Sequence, residues 1–198
     1  MDTIAPFRIT VCGIEELPGH NAAGVSHVLS ILDPDWPVPE AFGTYGEHER
    51  LELRFHDVIE DDEQMPGPTA AHVEQLLRFG EGLMAEPPRA AHLLVHCHAG
   101  ISRSTASMTL ILAQALPRLG AAEVLEEVLR IREKAWPNLR ILELGDAMLG
   151  RGGTLPAAAA QVYRRQLVRR PWLAEEMTRL GRARELAAAH ASVERPVL

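Results

Sequence analysis

Four short apolar runs, at residues 7–11, 27–32, 51–55 and 92–97, are each bounded by Gly, Pro, Asp or His, and segments of helical period separate or follow them. Between the third and fourth runs, residues 69–84 carry Val73, Leu76, Leu77, Phe79 and Leu83 near helical spacing behind Pro68. After the fourth run come a helix over 102–116, stopped by Pro117, and one over 121–135 with Val124, Leu125, Val128, Ile131 and Ala135 on one face. A further helix is expected over 139–149. Strands that alternate with helices predict an α/β fold, a mostly parallel central sheet flanked by helices, because parallel neighbours need long crossovers. Gly150-Arg151-Gly152-Gly153 then breaks the chain, which places a domain over 1–149 and a C-terminal helical extension, packed on it or trailing it, over 150–198. That extension reads as two Ala- and Arg-rich helices, 156–169 and 172–191, separated by Pro171. Ligands on such sheets gather where strands end and helices begin.

A chain of 198 residues can bury a core without disulfide or metal staples. Its net charge of -7 argues against nucleic-acid binding, which rewards clustered positive charge, so any anion site must be local. No apolar run approaches the 18 or more residues of a membrane span, and the start, with Asp2 and no basic stretch, is unlike a signal peptide. The two cysteines, Cys12 and Cys97, suggest neither a disulfide framework nor a zinc site. A cytoplasmic location is expected.

The chemistry converges on one strand-to-helix turn, Val95-His96-Cys97-His98-Ala99-Gly100-Ile101-Ser102-Arg103-Ser104. For a given cysteine, a chance match to its His, Gly, Ser, Arg and Ser is on the order of 10⁻⁶ from ordinary residue frequencies. A tight loop at this place points successive backbone N–H groups into one concavity, a nest for a phosphate reinforced by the helix N-terminus. The same positive field favours the Cys97 thiolate, which is the nucleophile. Arg103 offers a planar fork to two phosphate oxygens, and Gly100 permits backbone conformations closed to other residues. Residues 98–103 (His98, Ala99, Gly100, Ile101, Ser102 and Arg103) are the expected substrate cradle. Ser104 can donate to the cysteine sulfur when it leaves, and His96 is expected to order the loop.

This segment resembles the signature His-Cys-x-x-Gly-x-Ser-Arg-Ser of the protein tyrosine phosphatase superfamily, within it the dual-specificity branch. Arg132-Glu133-Lys134-Ala135-Trp136-Pro137-Asn138 resembles the family's Arg, Pro and Asn segment, which implies that Asn138 buttresses the signature-loop serine. The similarity spans residues 7–149, and the terminal helices lie outside it. It implies two-step hydrolysis of a phosphomonoester: attack by Cys97, protonation of the leaving oxygen by an aspartic acid, then hydrolysis of phosphocysteine. No metal or other cofactor is implied, and the expected partner is a phosphorylated protein or small phosphomonoester. The family takes its acid from the region after the strand preceding the crossover helix. That singles out Asp57, Asp61 and Asp62 over Asp33 and Asp35. Asp57, next to the strand, has the best fixed backbone and is favoured. Its separation from Cys97 is longer than in dual-specificity relatives, and Asp62 is the competitor.

Ser102 replaces the glycine of phosphotyrosine-specific relatives, which implies a shallow cleft. The loop lacks the lysines of phosphoinositide-binding relatives, which makes highly charged inositol phosphates the poorer guess; an inositol phosphate or phosphoinositide phosphatase of the same fold is the first alternative. A non-catalytic phosphoprotein-binding module is the second. Bland readings apply elsewhere. His96 and His98 lack further zinc ligands, 60–63 is a solvated acidic loop, and the arginines at 164, 165, 169 and 170 form a solvated face. Cys12 is a core thiol, with a redox role as its rival.

Overall fold

The computed structural model describes residues 4–60 and 63–191. Strands β1 (Arg8–Cys12), β2 (His27–Leu32), β3 (Glu49–Arg54) and β4 (His92–His96) form one sheet in the order β1-β4-β2-β3, and every pairing is parallel. β2 and β4, the two inner strands, are buried at every position, as a sheet covered on both faces requires. All four strands therefore end on one side. The chain after β1 (Gly13), β2 (Asp33), β3 (Phe55 and Asp57) and β4 (Cys97) meets there.

Helices α1 (Ala70–Ala85), α2 (Arg103–Ala115), α3 (Ala121–Ile131), α4 (Leu139–Met148) and α5 (Thr154–Arg169) follow, then α6 (Leu173–Arg179) and α7 (Ala183–Ala191). Thr69 caps α1 by accepting from the His72 N–H. α2 runs through the centre, buried on all sides over residues 103–113, and packs against α1, α3 and α4. At its crossing with α4 there is room only for glycine, since a Cβ on Gly145 would overlap the side chain of Leu110.

Two expectations are corrected, and two short segments are new. The third helix ends at Ile131 rather than 135, because Arg132 turns away to bind the loop after β4 and residues 132–138 run non-helically beneath it. The last expected helix is two: Gly181, at φ +70°, ends α6, and the Arg182 N–H closes the turn on Met177 O at 2.8 Å. Two 3-10 segments, Ile14–His20 and Glu40–Thr44, went unpredicted because neither has an amphipathic period long enough to register.

The Gly150 to Gly153 break is a bonded corner. Asp146 accepts from the Gly153 and Leu155 N–H groups, and Arg151 donates to the carbonyls of Ala113, Leu116 and Leu119 at the end of α2. α5 then packs on α3 and α4, so Leu155, Ala159, Val162 and Tyr163 share the main core with the sheet and α2. Among the described residues no helix is long and apolar enough to cross a membrane.

Gly145→Ala is expected to destabilise the protein. The better helix propensity of alanine contributes about 1 kcal/mol, whereas overpacking against the fully buried Leu110 costs about 1–3 kcal/mol. A raised urea midpoint in Gly145→Ala would contradict this reading of the α2–α4 contact.

Candidate active site

The loop from Cys97 to Ser102 is held from outside by its carbonyls. His98 O accepts from the Ile14 N–H at 2.9 Å. Ala99 O and Gly100 O accept from the guanidinium of Arg132 at 3.1 and 2.9 Å. Ile101 O accepts from the Trp136 N–H at 2.9 Å, and Ser102 O from the Asn138 N–H at 3.3 Å. A planar peptide that turns its carbonyl outward turns its N–H inward. The N–H groups of the loop accordingly face the concavity over Cys97, and among the described residues they have no backbone acceptor. Gly100 sits at φ +67°, where any Cβ would overlap the Cys12 carbonyl, so the loop lies directly on the end of β1. Arg132 is itself fixed by Glu16, at 3.0 and 2.6 Å, and Glu16 also caps the Gly13 N–H at 2.6 Å.

Cys97 is buried at the base of this nest, with its Sγ 3.2 Å from the Ser104 hydroxyl in the first turn of α2. Arg103 is 3% exposed and crosses beneath the cleft, its Nη1 donating to Asp33 Oδ1 at 2.6 Å and to Phe55 O at 2.7 Å. Both hydrogens of that nitrogen are thereby used. The buried Nε–H has no partner among the described residues, and Nε and Nη2 form one edge of the guanidinium. That free edge is the fork an oxyanion needs.

Asp57 lines the same cleft. Its Oδ1 accepts three bonds, from Ser102 Oγ at 2.8 Å, Asn138 Nδ2 at 2.8 Å and Arg182 Nη1 at 3.2 Å, while Oδ2 accepts none from the described residues. Burial opposes its charge. Arg182, Arg103 and the bonds from Asn138 and Ser102 outweigh that and hold the carboxyl below its usual range. Asp61 and Asp62, the other acid candidates of that segment, lie outside the described residues.

The remaining expected residues fall around this centre. Ile101 and Ala99 line the cleft. His98 packs on Trp36 with ring centroids 4.4 Å apart and accepts from the Asp33 N–H at 3.3 Å. His96 is buried below the loop against Phe42. Asn138 meets the loop through its backbone N–H rather than by bonding a serine hydroxyl with its side chain, which goes to Asp57 and to Val58 O. Cys12 lies in a small cluster on the other sheet face with Leu17, Val28 and Leu94, and burial pushes its thiol up to about 12. Of the four arginines read as a solvated face, Arg165, Arg169 and Arg170 pair with Glu126 or Glu133, and Arg170 also lines the cleft.

Three residues of the site had gone unassigned. The sequence marks Asp33 only as a candidate acid, although its place just after β2 matches that of Asp57 beyond β3. Arg132 stood in the quoted segment without a role. Arg182 has no sequence signal: it is one arginine among many in an Ala- and Arg-rich stretch.

No protein-family model matches the sequence, and no curated protein does. Solved structures do match. Human DUSP28 superposes over 77% of this chain and 100% of its own with a TM-score of 0.52 and 20% identity. DUSP15 covers 80% and 94% with a TM-score of 0.53 and 22% identity. Tk-PTP in its active form covers 73% and 92% with a TM-score of 0.52 and 22% identity. The chain thus has the α/β fold of these dual-specificity phosphatase structures.

Burial of the His96 ring pushes its pKa from 6.5 down to about 4, so it is neutral near pH 7. With the folded value depressed, the unfolded chain takes up the proton first as pH falls. The associated stability is complete above pH 6.5 and is lost on acidification towards pH 4, a difference of about 3 kcal/mol. Urea unfolding at pH 7 and pH 4 should show wild type losing more stability over that interval than His96→Gln. Equal losses would assign the acid sensitivity to other groups.

Proposed function

We propose that the chain is a cysteine-dependent phosphomonoester phosphatase acting on phosphorylated protein, with phosphotyrosine favoured. The observation that supports this reading most is the outward anchoring of the carbonyls at 98–102, which leaves inward N–H groups, together with the free edge of Arg103 in the cleft that Cys97 also lines.

A bound phosphate dianion accepts from the loop N–H groups and from Nε and Nη2 of Arg103. The Cys97 thiolate attacks phosphorus in line, a P–S bond forms, and the P–O bond to the substrate breaks. Asp57 supplies the proton to the departing oxygen. Three donors on Oδ1 fix it as the carbonyl oxygen of the acid form, so the proton resides on Oδ2, the oxygen they leave free. In the second step a water attacks phosphorus, Asp57 takes its proton, and the P–S bond breaks. The Ser104 hydroxyl donates to the sulfur as negative charge returns to it. Inorganic phosphate is released, and Cys97 is again a thiolate.

The cleft above the loop, about 470 Å³, supports an aromatic phosphoester. Trp136, Trp172, Leu173, Met177 and Leu180 supply an apolar wall, and Trp172 and Leu180 are 64% and 48% exposed, an arrangement that core packing does not account for. Phosphotyrosine places a flat apolar ring directly behind its phosphate. An inositol ring would set hydroxyls and further phosphates against that wall. Of the two cations at the rim, Arg170 is already engaged by Gln166 and Glu133, which leaves Lys134.

Vanadate-sensitive hydrolysis of aryl phosphates is expected to persist in EDTA and to fall roughly 10³-fold or more in Cys97→Ser and in Arg103→Ala. Phosphotyrosine peptides are expected to show higher kcat/KM than any phosphoinositide. Trp172→Ala should raise KM for such peptides about 5- to 10-fold, the loss of one aromatic contact, with kcat little changed. Full activity in Cys97→Ser would end the reading, and a lipid preference under equal conditions would end the substrate assignment.

A further inference from the structure

Arg182 comes from the turn between α6 and α7, outside residues 7–149 over which the sequence resembles phosphatases, yet it is 3% exposed and lines the same cleft as Cys97 and Asp57. Its Nη1 donates to Asp57 Oδ1 at 3.2 Å, and its Nη2 donates to Ser102 Oγ at 3.0 Å and to Glu185 Oε1 at 2.7 Å. Ser102 Oγ in turn donates to the same Oδ1 at 2.8 Å. Arg182, Ser102 and Asp57 therefore close a ring of hydrogen bonds that joins the phosphate loop to the carboxyl. Glu185 is fully buried and is fixed by the Trp136 indole N–H at 2.5 Å and the Leu139 N–H at 2.9 Å. A buried guanidinium needs such a partner, and Glu185 is built in to supply it.

We propose that Arg182 is a positioning residue for the reaction: it holds Asp57 at the phosphate loop, orients Oδ2 toward the leaving oxygen, and sets the pH range in which Asp57 carries its proton. The inference rests on the assignment of Asp57 as acid made above. It gives the C-terminal helices a direct part in the chemistry, since Glu185 of α7 fixes Arg182 and Gly181 shapes the turn that delivers it.

The charges around the pair decide the sign. Asp57 is faced by Arg103 from α2, by Arg182, and at longer range by His98 of the loop, with His56 beside it in the chain. Arg182 is faced by Asp57, by Glu185 of α7 and by Tyr163 of α5. When a phosphate dianion takes the free edge of Arg103, it offsets that arginine's hold on Asp57 and adds negative charge nearby. Proton affinity at Oδ2 then rises where a proton is needed. Arg182 opposes this rise, and so fixes the alkaline limb of kcat, where Asp57 in the substrate complex gives up its proton. Removing the cation must move that limb to higher pH. A lysine, which keeps the charge but cannot bridge Asp57, Ser102 and Glu185 together, must leave the limb near its place while lowering kcat.

The experiment compares pH profiles of kcat for wild type, Arg182→Met and Arg182→Lys, using an alkyl phosphate whose leaving group requires protonation. Because Arg182→Met leaves Glu185 buried without its cation, the neutral pair Arg182→Met/Glu185→Gln is measured beside it, and thermal unfolding establishes that each variant folds. The expected result is an alkaline limb displaced upward by about one pH unit in the methionine variants, the scale of one opposite charge at contact distance. In Arg182→Lys the limb stays within a few tenths of wild type and kcat falls about tenfold. Carbon NMR titration of the Asp57 carboxyl, in full-length protein without substrate, should move in the same direction and does not depend on turnover. A limb and a carboxyl titration both unmoved in the folded methionine variants would overturn the proposal, because a purely structural arginine would lower kcat and melting temperature alone. Should the carboxyl move while Asp57→Asn retains the wild-type limb, Arg182 governs Asp57 but the assignment of Asp57 as acid fails, and the catalytic role proposed for Arg182 fails with it.

Discussion

Everything at this centre depends on where five carbonyl groups point. A phosphate site made of backbone N–H groups has no charge of its own to lend, and works only if consecutive peptides are held in an orientation an isolated loop would not keep. Here the peptides from His98 to Ser102 are held by acceptors' partners on three separate segments: the Ile14 N–H beyond β1, the guanidinium of Arg132 at the end of α3, and the Trp136 and Asn138 N–H groups before α4. Gly100 permits the approach of the loop to the Cys12–Gly13 peptide, and Glu16 keeps Arg132 from swinging away. The parallel sheet makes this possible by ending every strand on the same side, so that the four following segments meet.

The charges of the site, on buried and half-buried side chains, are arranged in alternation. Asp33 sits on Arg103, Asp57 between Arg103 and Arg182, and Glu185 on Arg182. Each arginine is thus partly offset, which makes burial of two guanidinium groups tolerable in a chain of net charge -7. The compensation is incomplete in the one direction that matters. Arg103 gives Nη1 to Asp33 and Phe55 O, and its remaining edge faces the cleft with a buried, unpartnered Nε–H. A buried donor left open carries a desolvation cost of about 1–3 kcal/mol. An oxyanion accepting from that edge would remove that cost.

How much of this was legible in the sequence follows from how local each signal is. The strands and the crossover helix were visible because apolar periodicity is a property of a few adjacent residues. The loop from Cys97 to Ser104 was visible because its chemistry is packed into eight positions. Asp57 could be narrowed to one short segment, since the strand before it fixes where the chain emerges. Asp33 and Arg182 had no comparable mark. Asp33 acts across 70 residues of sequence on Arg103, and Arg182 across 125 on Asp57. Neither flanking sequence differs from an ordinary strand end or an ordinary Arg-rich helix. The split of the last helix at Gly181 was legible in principle, but good helix formers on both sides, with alanines beyond it, suggested continuity.

The segment 133–139 shows why the C-terminal helices cannot be regarded as an appendage of the site. Residues 133–138 run non-helically just below the Cys97–Ser102 loop into the start of α4, and the polar groups of the segment are satisfied largely by α5 and α7: Gln166 Nε2 donates to Glu133 O and Ala135 O, the Tyr163 hydroxyl to Pro137 O, and Glu185 accepts from the Trp136 indole and the Leu139 N–H. Trp136 is stacked on Tyr163 at 4.8 Å between centroids. The same segment supplies the Trp136 and Asn138 N–H groups that fix the loop carbonyls and the Asn138 amide that holds Asp57. In this chain, the order of the Cys97–Ser102 loop depends through residues 133–139 on helices that carry no part of the signature, and the reach of the candidate site extends accordingly to α7.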